Sequence, residues 1–101
     1  MIVVSDTSPL NYLILIHCET LLKALFGKVA VPTAVLTELQ SEGAPQKIRN
    51  WLTHMPDWIE VRQADMPESY LPNLGLGERE AIYLAHSVGA DALLIDESAG
   101  R

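Results

Sequence analysis

Apolar residues fall along this chain in two rhythms. Ile2-Val3-Val4, Val29-Ala30-Val31 and Ala92-Leu93-Leu94-Ile95 are continuous apolar runs rich in β-branched or aliphatic side chains, the pattern of strands buried on both faces. Trp58-Ile59-Glu60-Val61 alternates instead, as a half-buried or edge strand does. Helical spacing fills the intervals. A first helix is predicted over residues 9–17, with Ser8 as N-cap and Pro9 at the first helical position. A second is predicted over 19–26, with Leu21, Leu22, Leu25 and Phe26 on its inner face and Gly27 closing it. Pro32-Thr33 opens a third through Leu39, ended by the polar stretch 41–45, and Ile48, Trp51 and Leu52 give a fourth its apolar stripe. Residues 63–73, with Pro67 and Pro72, read as a loop. The clearest helix is predicted over 77–88, with Ala81, Ile82, Leu84, Ala85 and Val88 inward and Gly89 at its end. The order βααβααβαβ, with apolar strands, predicts a parallel sheet covered by helices on both faces.

Composition narrows the classes open to such a chain. Its 101 residues are 49% hydrophobic, which suits one domain spanning 1–101 and excludes global disorder. The longest unbroken apolar run, residues 12–16, is far short of the ~20 residues a spanning helix needs. The N-terminus lacks a basic start and reaches Asp6 at once, unlike a secretory signal. Cys18 is the only cysteine, so it reads as a buried thiol in a reducing compartment, the cytoplasm. With 13 acids against 7 Lys and Arg, the formal charge is −6, which argues against a sequence-independent coat on nucleic acid. It leaves open an enzyme that acts on nucleic acid, because carboxylates gathered around a divalent cation become a phosphate site once the ion is bound.

The position of the acids is therefore what matters. Asp6 follows the first strand by one residue, and Asp96 follows the fourth directly. Ligands of open α/β sheets bind beyond the carboxyl ends of the strands, so two such aspartates converge if their strands are neighbours. Taken singly, each is also an ordinary turn or cap residue. Glu38 lies in the helix entered from the second strand and Glu78 in the first turn of the helix at 77–88. Either serves equally well as a solvated acid, and Glu78 as a partner of the helix dipole. Four acids at one end of a sheet would repel each other unless metal or protons compensate them.

These residues lie in segments that resemble the acidic motifs of the PIN-domain family, which includes the VapC-type ribonuclease toxins. The segments are, in order, Val4-Ser5-Asp6-Thr7-Ser8-Pro9-Leu10, Val31-Pro32-Thr33-Ala34-Val35-Leu36-Thr37-Glu38-Leu39, Gly75-Leu76-Gly77-Glu78-Arg79-Glu80-Ala81-Ile82 and Gly89-Ala90-Asp91-Ala92-Leu93-Leu94-Ile95-Asp96-Glu97. The resemblance spans the chain. It implies a three-layer α/β/α sandwich with a central, mainly parallel sheet, a Mg²⁺- or Mn²⁺-dependent endoribonuclease of a toxin–antitoxin pair cutting single-stranded RNA, and an antitoxin protein that blocks it. Carried over, the catalytic and metal-binding acids are Asp6, Glu38, Glu78 and Asp96, with Thr7 or Ser8 as a polar neighbour. Glu80 competes for the third position, and the spacing to Asp96 favours Glu78. Two departures stand out: the third acid is commonly Asp in the toxins, and PIN domains usually continue past the fourth motif where this chain stops, which reads as C-terminal shortening. The alternative function is a catalytically inactive remnant that serves as a protein-interaction module.

Other features carry less. Receiver domains and haloacid-type phosphohydrolases also place an Asp after the first strand, but the second acid and late lysine of the former, and the second Asp two residues on of the latter, are missing. His17, His54 and His86 lack ligand spacing. Gly75-Leu76-Gly77 follows a loop, not a strand, against a dinucleotide fingerprint. Arg79 and Arg101 are candidate phosphate clamps by position alone. Trp51, Trp58 and Tyr83 read as core or interface residues rather than base-stacking platforms. An unpaired sheet edge and a partly uncovered face would favour a homodimer, with apolar side chains of residues 9–26 or 51–58 in its interface.

Overall fold

The computed structural model describes residues 2–41 and 43–95. The chain runs β1 (Ile2–Ser5), α1 (Thr7–Leu15), α2 (Thr20–Phe26), β2 (Lys28–Pro32), α3 (Thr33–Leu39), α4 (Gln46–Thr53), β3 (Ile59–Arg62), α5 (Leu76–Ser87) and β4 (Ala92–Leu94). The element order expected from the apolar rhythm is the one observed. All strand pairs are parallel, and the sheet order is β3-β2-β1-β4. Val4 sits at its centre, paired with Ala30 on one side and Leu93 on the other.

Connection handedness explains the layers. Parallel crossovers are right-handed, so stepping outward from β1 to β2 to β3 puts α1 to α4 on one face. The return from β3 to β4 reverses direction and puts α5 on the other. The side chains divide accordingly, because successive strand residues point to opposite faces. Val29, Val31 and Ile59 pack with Leu10, Ile14, Leu22, Val35, Leu39 and Ile48 from α1 to α4. Val4 and Ala30 pack with Ala81 and Leu84 of α5. The result is the three-layer α/β/α arrangement. The alternating β3 is an edge strand, as its pattern suggested. Among the described residues no helix is long and apolar enough to cross a membrane.

Several local readings are corrected. The N-cap of α1 is Asp6, in extended conformation, rather than Ser8. The backbone N–H of Asp6 still donates to the Leu94 carbonyl at 2.9 Å, so the chain leaves the ladder at Asp6 and turns directly into helix. Pro9 falls at the third helical position, which it tolerates because first-turn N–H groups have no intrahelical acceptor. At the other end α1 stops at Leu15. His17, at φ 59°, occupies the left-handed position of a Schellman turn in which Cys18 N–H donates to Leu13 O (2.8 Å) and His17 N–H to Ile14 O (3.1 Å). His17-Cys18 is thus a helix end, and the Cys18 thiol is half-buried rather than buried. On α2 only Leu22 of the expected inner face is buried. Leu21 and Leu25 stand 53% and 69% exposed, because seven residues dock on the sheet through one narrow flank. Trp58 is buried and Trp51 packs against the larger core, as read from the sequence.

Candidate active site

The strand order creates a switch point. β1 connects outward to β2 on one side, while its other neighbour, β4, is reached last. Crevices form at the carboxyl ends of such a strand pair. Asp6 lies there, 5% exposed, directly after the fully buried Ser5. The condition set by the sequence, that the first and fourth strands be neighbours, is met. Asp96, expected to follow β4, lies outside the described residues, as does Arg101.

Glu38 arrives from α3. Its position on the helix is exposed, yet its carboxylate is held by two donors. Oε1 accepts from the Thr7 hydroxyl at 2.5 Å and Oε2 from the Gly77 backbone N–H at 2.9 Å. Thr7 is the residue after Asp6 and Gly77 the residue before Glu78, so one side chain ties together the starts of α1 and α5. Glu78, in the first turn of α5, is 8% exposed. The structure therefore gathers Asp6, Glu38 and the Gly77-Glu78 segment at one end of the sheet. Of the two candidate polar neighbours of the acids, Thr7 makes a contact, to Glu38. Among the described residues, no three His, Cys, Asp or Glu side chains converge closely enough to hold a metal ion by themselves. The donor set is made of carboxylates, which suit hard divalent cations.

The sequence assigns Gly77 no role of its own: Gly75-Leu76-Gly77 bears only on a dinucleotide fingerprint, which its place after a loop argues against. A Cβ on Gly77 would lie 2.6 Å from both carboxylate oxygens of Glu38, so only glycine lets that carboxylate reach the α5 backbone as it does. The available signal was a glycine inside the first helical turn, where it costs helix propensity. Gly75, by contrast, has nothing near its would-be Cβ.

Two other candidates are engaged elsewhere. Glu80 Oε1 accepts from Ala34 N–H at 3.1 Å and from the Thr33 hydroxyl at 3.5 Å, capping α3. The Arg79 guanidinium donates to the Tyr70 and Glu68 carbonyls at 2.8 and 2.6 Å, pinning the 63–75 loop to α5 instead of facing the acids. Tyr83 packs edge-on against Tyr70 of that loop, ring centroids 5.1 Å apart.

Neither a curated protein nor a solved structure matches the chain. A family model described as a PIN domain matches residues 2–101. With the parallel sheet, the acidic switch point and this match in agreement, the chain belongs to the PIN-domain family, whose members are generally nucleases and typically use divalent metals.

Proposed function

We propose that the protein is a Mg²⁺- or Mn²⁺-dependent endoribonuclease that cuts single-stranded RNA, the toxin component of a toxin–antitoxin pair. The observation that carries this reading is the Glu38 carboxylate joining the Asp6-Thr7 and Gly77-Glu78 segments at the β1/β4 switch point. Asp6, Glu38, Glu78 and Asp96 are the residues that would hold the metal. A divalent ion bound there supplies Lewis-acid polarisation of a phosphodiester and a water of lowered pKa. Asp6 is fixed by the end of β1 and Glu78 by the first turn of α5, both on backbone that is hydrogen-bonded into the fold. Thr7 and Gly77 orient Glu38, so its carboxylate needs little reordering to act. The chain's −6 charge makes the unloaded edge repel phosphates, so RNA binding itself should depend on the cation.

The test is cleavage of a single-stranded RNA by purified protein with Mn²⁺, with Mg²⁺ and with EDTA. Cutting should require metal. Cutting that persists in EDTA overturns the proposal, and a folded protein that neither binds Mn²⁺ nor cuts RNA leaves the interaction-module alternative. For the toxin role, expression in cells should arrest growth, and coexpression with a cognate antitoxin should relieve it.

We further propose a homodimer through the α1–α2 surface. Tyr12, Ile16, Leu21 and Leu25 there are 63%, 46%, 53% and 69% exposed, an apolar surface of the kind that association covers.

A further inference from the structure

We propose that Glu80 is a positioning residue of the acidic cleft: it fixes α3 against α5 so that Glu38, from the far end of the same helix, stays at Gly77. The inference rests on reading the cleft as the catalytic site.

The two helices cap each other. The N-cap of α3 is Pro32, which has no side-chain oxygen to satisfy the N–H groups of the first turn. Glu80 supplies that oxygen from α5, accepting from Ala34 N–H and the Thr33 hydroxyl. Near the other end of α3, Glu38 returns the contact by accepting from Gly77 N–H in the first turn of α5. The two carboxylates are five residues apart along the α3 contact, Thr33 to Glu38, and three residues apart on α5, Gly77 to Glu80. A helix of seven residues held to α5 at both ends cannot slide or tilt without breaking one of these contacts. Val35 and Leu39, one residue on from Ala34 and Glu38 and so on a neighbouring face, hold α3 to the core, so loss of Glu80 loosens the α3–α5 register without removing the helix. What changes is the placement of Glu38, and with it the link between Thr7 and Gly77. The Glu80 carboxylate is thereby assigned to geometry rather than to the metal.

The test compares Glu80→Ala and Glu80→Gln by amide hydrogen exchange, Mn²⁺ titration and cleavage kinetics on a single-stranded RNA. In Glu80→Ala the Gly77 amide should lose protection together with that of Ala34, although Glu80 does not touch Gly77. Mn²⁺ affinity should fall about tenfold or more, as when outer partners of metal ligands are removed, with kcat reduced more than KM. Glu80→Gln keeps an acceptor oxygen and should restore most of each. Unchanged Gly77 protection in Glu80→Ala overturns the inference, and so does a Glu80→Gln variant as impaired as Glu80→Ala, which would make the charge itself a ligand. If the wild type neither binds Mn²⁺ nor cuts RNA, the catalytic reading fails, while exchange at Gly77 still decides whether Glu80 positions Glu38.

Discussion

Gly77→Ala separates the site from the stability of the fold. Gly77 is the second residue of α5, and its φ is not in the left-handed region, so the backbone accepts alanine. The added Cβ would stand 2.6 Å from Glu38 Oε1 and Oε2 and 2.7 Å from its Cδ. Non-bonded heavy atoms settle near 3.5–4.0 Å, so the carboxylate must retreat by about 1 Å. Its bond of 2.9 Å to Gly77 N–H then fails, while the rotatable Thr7 hydroxyl follows the carboxylate. Alanine gains roughly 0.5–1 kcal/mol over glycine in a helix, against about 1.5–3 kcal/mol for a lost charge-assisted hydrogen bond. The net cost is on the order of 1 kcal/mol, a fall in Tm of roughly 4–8 °C for a domain of this size. Catalysis should suffer more, since misplacing a catalytic group by about 1 Å can cost ~10²-fold. The assay is thermal melting beside Mn²⁺-dependent cleavage well below Tm, with Gly75→Ala as the control because nothing lies near its Cβ. A Gly77→Ala protein that cuts RNA at the wild-type rate refutes the reasoning, because Glu38 would then not need the place it occupies.

Asp6→Asn removes the charge at a position only 5% exposed while keeping its size, so it should abolish metal-dependent cleavage and leave circular dichroism unchanged; residual cutting at the wild-type rate would remove Asp6 from the site. Leu10→Ala empties a fully buried position in the larger core and should destabilise by about 2–5 kcal/mol in urea denaturation. Leu25→Glu should convert a dimer to monomer in light scattering across a concentration series, since Leu25 is 69% exposed and contributes little to the core; a wild type that is monomeric at every concentration sinks the proposed interface.

Element identity was legible in the sequence because burial is written into local pattern. Val3, Val4, Val29 and Val31 are nearly or wholly inaccessible, and a strand covered on both faces has no polar positions to interrupt its run. The order βααβααβαβ and the carboxyl-end placement of Asp6 followed from those runs. What remained open was everything that depends on which elements touch. Adjacency of β1 and β4, the condition for a switch point at Asp6, is a matter of crossover direction, which no local pattern records. The same holds for Leu21 and Leu25, whose helical spacing marks an apolar flank but not whether this chain covers it. Glu78 and Glu80 are chemically identical and two residues apart, so a helix turns them by about 200°. Only tertiary packing directs Glu80 to the Ala34 amide and brings Glu38 against the backbone before Glu78. Gly77 shows the limit most plainly: its sequence context records a missing side chain, and the structure supplies the carboxylate that fills the space.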